Sequence, residues 1–153
     1  MNKFASMKDR KFVFGSVLVI ANRMDTLLER ELKEFDVTSK QWLLTAVLAN
    51  SFDKPPTIKE VAREMGSSHQ NVKQVALKLE QKGLLVFEKD KNDARVTRLQ
   101  LTDQIHDFSQ ATQSKATIFT QAVFKGIDEA DMSKARAVLQ KMLSNLTEMD
   151  ISE

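Results

Sequence analysis

The chain has 153 residues, 42% of them apolar, which is enough to bury a core within one compact domain and too many for a disordered tail. Cysteine is absent, so a disulfide framework, a thiolate nucleophile and a thiol redox switch are excluded. Net charge is only +2, yet residues 54–102 hold ten Lys or Arg against six acids, a net of +4, while the remainder sums to −2, a distribution that turns a basic middle toward a polyanion.

The start, MNKFASMKDRK, is charged and runs into a helical pattern rather than an apolar segment with a cleavage site, so no secretory leader is expected. The longest apolar stretches, Phe12–Ala21 and Trp42–Ala49, stop short of the roughly 20 residues of a membrane span, and a soluble, cytoplasmic protein with no membrane partner is the expectation. From Phe14 the apolar positions 14, 17, 18, 21, 24, 28, 32 and 35 step by three and four, the stripe of a long helix. Thr38-Ser-Lys-Gln41 is a capping box ahead of the apolar run from Trp42, which opens a second helix that the prolines at 55 and 56 end.

Thr57-Ile-Lys-Glu60 repeats the capping box and starts a short helix with Ile58, Val61, Ala62 and Met65 inward, closed by Gly66. Ser67 and Ser68 offer an N-cap to the next helix, whose inward positions are Val72, Val75, Ala76 and Leu79 and whose end is Gly83. The period then changes. Residues 84–88 and 96–101 have the content of two short strands, with a polar, basic loop from Lys89 to Arg95 between them. Thr102-Asp103 is expected to cap a further helix with a stripe at Ile105, Phe108, Ala111 or Thr112, Ala116, Phe119 and Val123. Asp128 is expected to cap a last one with Met132, Ala135, Leu139, Met142 and Leu146 inside. Terminal helices this long must bury their stripes against each other or against another copy.

Helix, capped short helix, Gly turn, capped helix, strand, basic loop and strand is the order of a winged helix-turn-helix. The chain resembles the MarR family at Thr38-x-x-Gln41 before Trp42, the Ile58-x-x-Val61-Ala62 face, Met65-Gly66-x-Ser68, Val72 with Leu79-Glu-Gln-Lys-Gly83-Leu84, and Asp93-x-Arg95 followed by Leu101-Thr102. The match covers residues 38–102, and the outer helices match only in length and placement. Two positions depart from the family pattern. Ser67 follows Gly66 where the family carries an aliphatic residue, and Ile105 stands near where it carries a glycine. The resemblance implies a mainly α (α+β) fold: a single domain over 1–153, with a winged helix-turn-helix lobe at 38–102, a two-stranded β wing, and long dimerisation helices at 10–36 and 103–149.

A helix fits the major groove and presents its first turns to base edges. The outward residues there are Ser68, His69, Gln70, Asn71, Lys73 and Gln74, and Asn or Gln pairs with adenine as Lys reaches guanine; the plain alternative is a solvated polar face. In the wing, the resemblance places Arg95 in the minor groove. Asp93 would hold its guanidinium by a charge-assisted pair, or the two merely shape the turn. Lys89 and Lys91 suit phosphate contacts, and Arg98 either reaches phosphate or packs on the sheet. Trp42 sits at an apolar helical position as core; by resemblance it would lie near a pocket for a small aromatic effector.

The implied function is a sequence-specific double-stranded DNA-binding transcriptional regulator, a ligand-responsive repressor acting as a homodimer on a pseudo-palindromic operator. The alternative is a winged-helix adaptor that contacts protein and not DNA. No enzyme is expected: no Gly-rich phosphate loop or supported Ser-His-Asp set can be assembled, and the two histidines, 69 and 106, lie on different elements without ligand spacing, so neither a metal nor another cofactor is expected.

Overall fold

Helix α1 (Asp9–Leu32) follows a 3-10 turn at Lys3–Ser6 and ends through a second one at Lys33–Phe35. The computed structural model describes residues 3–151, and the chain divides into two units, Met1–Thr117 and Ile118–Glu153. In the single chain the α1 stripe is fully buried only at its C-terminal end, at Leu32; Val17, Leu28 and Phe35 are half-buried, and Phe14, Leu18 and Met24 are exposed. Among the described residues no helix is long and apolar enough to cross a membrane.

Helices α2 (Ser39–Asn50) and α3 (Ile58–Met65) begin where their capping boxes predict. The Gln41 amide donates to Thr38 Oγ1 at 3.1 Å and the Thr38 amide to Gln41 Oε1 at 3.3 Å; the Thr57–Glu60 pair repeats this at 3.2 and 2.7 Å. Each box satisfies two amides that the helix start would leave orphaned. Helix α4 (His69–Gln81) lies across them, and Leu44, Leu48, Ile58, Val61, Ala62, Val72, Ala76 and Leu79 join Leu84, Leu85 and Leu99 in one apolar core.

Strands β1 (Leu85–Lys89) and β2 (Thr97–Leu101) form an antiparallel hairpin in the register Leu85↔Leu101, Phe87↔Leu99, Lys89↔Thr97. Both start one residue later than the sequence pattern predicts. The Leu84 amide is taken by the Leu79 carbonyl (3.0 Å), so Leu84 finishes the turn after α4, and the Val96 amide is taken by the Asp93 carbonyl (3.0 Å), so Val96 belongs to the loop. On the far edge of β2 the Leu99 amide donates to the Pro56 carbonyl at 2.8 Å, and Thr57 bridges Arg98. The segment that enters α3 is thereby joined to the wing.

Thr102 does not cap the following helix as expected. Its hydroxyl donates to the Gly83 carbonyl at 2.5 Å and its amide to the Leu84 carbonyl at 3.0 Å, because the hairpin base brings those acceptors closer than the next helix start. Helix α5 (Ile105–Val123) buries Thr112 rather than Ala111, with the Thr112 hydroxyl returned to the Phe108 carbonyl at 3.0 Å. In the second unit, Asp128 caps α6 (Glu129–Ile151) by accepting the Asp131 amide at 2.8 Å. The positions expected inside α6 are not covered in the single chain: Met132 and Met142 are half-buried, and Ala135, Leu139 and Leu146 are exposed.

Candidate nucleic-acid interface

Gly66 makes the tight turn between α3 and α4. It adopts φ +63°, a left-handed conformation that costs an L side chain free energy. The Gly66 and Ser67 amides return to Arg63 and Ala62, satisfying the last carbonyls of α3. Ser68 then caps α4, its Oγ accepting the Asn71 amide at 3.1 Å. With Val72, Ala76 and Leu79 turned into the core, Ser68, His69, Gln70, Asn71, Lys73 and Gln74 are all left exposed.

At 3.6 residues per turn, Gln70 and Gln74 fall directly opposite Val72, with Lys73 on one flank and Asn71 on the other. Asn71 and Gln74 also border a crevice of about 260 Å³ with Lys40, Leu43 and Met65. Leu77 joins the outward face at 40% exposed; lying off the three-four stripe, it gave the sequence no signal beyond being an isolated apolar residue.

The wing loop is organised by two aspartates. Asp93 Oδ1 accepts the Arg95 amide and Arg95 Nε, both at 3.1 Å, while its Oδ2 accepts Nη2 at 3.3 Å. The guanidinium is therefore held at two points although the Arg95 side chain is 91% exposed. The Arg95 guanidinium, and after it the Arg95 backbone amide, hold the Asp93 carboxyl below its ordinary pKa.

Asp90, which the sequence reading did not single out, accepts the Asn92 and Asp93 amides on Oδ2, each at 3.0 Å, and Arg98 Nε on Oδ1 at 2.6 Å. Its carboxyl is likewise held low, first by Arg98 and next by the Asn92 amide. Its only visible signal was an Asp at a loop entry, a residue type that commonly accepts the amides following it. Arg98, for which the sequence leaves phosphate and the sheet both open, makes two contacts within the protein. It is half-buried, its Nε on Asp90 and its Nη1 on the Pro55 carbonyl at 2.9 Å, so these two donors are engaged by protein. Lys89 and Lys91 are exposed.

A groove of about 840 Å³ lies between the C-terminal half of α1, the start of α2 and the end of α4, lined among others by Asp25, Arg30, Lys33, Lys78 and Lys82. Lys82 bridges the floor: its Nζ donates to the Asp36 carbonyl and to Gln41 Oε1 at 2.9 Å. Trp42 is half-buried on α2 and is not among the residues lining that groove.

The sequence model of the MarR family matches residues 35–96, the stretch from the end of α1 to the tip of the wing. Over those residues the chain matches the MarR family. It is similar to the transcriptional repressor MprA of Escherichia coli K12, with 22% identity over 98% of this chain and 89% of the relative. Solved structures share the fold. The transcriptional regulator SlyA superposes with a TM-score of 0.79 at 19% identity, over 92% of this chain and 99% of the other. A MarR-family transcriptional regulator from Listeria monocytogenes, complexed with a 26mer DNA, does so at 0.79 with 20% identity, over 93% and 91%.

Proposed function

We propose that this chain is a member of the MarR family and a sequence-specific double-stranded DNA-binding transcriptional regulator, a repressor acting as a homodimer on a pseudo-palindromic operator. The observation that carries the reading is the pairing of two exposed elements on one lobe with a shared core: the capped start of α4, with Gln70, Asn71, Lys73 and Gln74 facing out, and a wing whose Arg95 is held by Asp93. Gln70 and Gln74 read base edges in the major groove, Arg95 enters the minor groove, and Lys89 and Lys91 take phosphates. No catalytic step is part of this reading.

Support for the dimer comes from apolar residues that a single chain leaves in water: Phe14, Leu18 and Ile20 on α1, and Leu139, Leu143 and Leu146 on α6. Two α4 helices related by a twofold axis then enter major grooves about 34–36 Å apart. The relative's name supports repression. A small organic effector, the class that the family resemblance implies, releases the operator by binding more tightly to a dimer whose α4 helices are wrongly spaced. The groove beside α1, α2 and α4 offers it room.

The test is fluorescence anisotropy of a labelled duplex titrated with the protein at several salt concentrations. With Lys89 and Lys91 from two subunits on phosphates, log K falls against log salt with a slope of about −4 or steeper. Absence of duplex binding at low salt would instead support the winged-helix adaptor.

A further inference from the structure

A two-stranded hairpin is at best marginally stable alone in water, so something must fix the direction in which the wing projects. In this chain Leu85 and Leu99 anchor the hairpin base in the core, the Leu99 amide holds the Pro56 carbonyl, and one guanidinium adds two further ties. Arg98 stands on β2; its Nη1 reaches the Pro55 carbonyl at 2.9 Å, on the segment that enters α3, and its Nε reaches Asp90 Oδ1 at 2.6 Å, at the first residue of the wing loop. Asp90 passes the constraint on, since its Oδ2 accepts the Asn92 and Asp93 amides, and Asp93 in turn forks Arg95. The contacts form an unbroken path from the helix-turn-helix to the tip of the wing: Pro55, Arg98, Asp90, Asp93, Arg95. A planar guanidinium suits this task because its donors point in fixed, divergent directions, whereas a lysine presents one flexible point charge.

We propose that Arg98 and Asp90 are positioning residues that lock the wing to the segment entering α3, so that Arg95 and the reading face of α4 meet the same DNA in one register. Neither touches DNA in this scheme. The proposal rests on the DNA-binding reading above and adds a division of labour within the wing that the exposed residues alone do not show.

The experiment is a double-mutant cycle on the full-length protein, with a duplex selected by the wild type as the probe. Arg98→Met keeps the length of the stem and removes the guanidinium. It is expected to weaken binding about tenfold in the wild-type background, toward the low end of what one groove-reading side chain contributes. In an Arg95→Ala background the loss is expected to shrink below about twofold, because the group that Arg98 positions is already gone. Equal losses in both backgrounds would mean that Arg98 contacts DNA itself, and no loss in either would mean that the lock has no role; both results overturn the proposal.

If Arg98→Met does not fold, Arg98→Lys takes its place. It retains the charge but cannot hold both acceptors, and wild-type affinity for that variant refutes the lock. If the wild type selects no duplex, the DNA reading falls, and the lock is judged on the free protein alone. Amide hydrogen exchange at Asn92 and Asp93 accelerates in Arg98→Met if Arg98 orders the tip, and is unchanged if it does not.

Discussion

Arg95→Ala separates binding from folding in this chain. The side chain is 91% exposed, so its loss changes stability by no more than about 0.5 kcal/mol, and Tm by about 2 °C or less. The effect on DNA is of another size. An arginine that reads a groove contributes about 1–3 kcal/mol, and a homodimer loses two of them, so operator affinity falls by at least about 30-fold. Truncation also leaves the Asp93 carboxylate unpaired toward a polyanion, which deepens the loss. Arg95→Lys keeps the charge but not the two-point hold on Asp93, and ranks between the wild type and the alanine variant. Anisotropy titrations of the three proteins at one salt concentration, beside thermal melts, test the ranking. Equal affinities with unchanged melting would refute the role given to the wing.

Other perturbations have outcomes that the local geometry decides. Gly66→Ala meets no atom within 4 Å, so its cost is the left-handed backbone alone, about 1–2 kcal/mol by chemical denaturation; a loss near zero or above about 3 kcal/mol would contradict the turn described. Leu79→Ala opens a cavity in the core and costs about 2–5 kcal/mol, while Leu77→Ala on the outward face of the same helix costs under about 1 kcal/mol; similar losses for the two would mean that the face of α4 is wrongly assigned. Asp90 and Asp93 have carboxyls lowered in the folded chain, so their contribution to wing order is complete above the ordinary carboxylate value of about 3.9 and is lost only as pH falls through their lower folded values. Carboxyl-carbon NMR titration should therefore show no change in either group between pH 7 and 5 and midpoints below about 3.9; a midpoint at or above that value would show that the arginine contacts are not made in solution.

The parts of the fold that the sequence foretold are those set within four residues. Thr38 with Gln41 and Thr57 with Glu60 announce two helix starts, Ser68 a third, and Gly66 the turn between α3 and α4, because caps and left-handed turns depend on local chemistry. The exposed set on α4 was legible for the same reason, since helical periodicity alone separates Gln70 and Gln74 from Val72 and Ala76. What escaped depends on contacts across the chain. The prolines at 55 and 56 read as a break, yet the Pro56 carbonyl accepts the Leu99 amide from β2, a service that a missing N–H does not prevent. Lys82 reaches the Asp36 carbonyl 46 residues away. Arg98 could not be assigned from strand alternation, because its partners are a carboxylate eight residues earlier and a carbonyl in a different segment.

Sequence selection tests the central claim most directly. The purified protein is incubated with a random duplex library, and the bound fraction is amplified and sequenced over successive rounds. The account predicts an enriched inverted repeat, with half-sites about one helical turn apart, that the wild type binds at least about a thousandfold more tightly than random duplex. Enrichment of nothing, or of a sequence without twofold symmetry, would contradict a dimer that reads DNA through paired α4 helices.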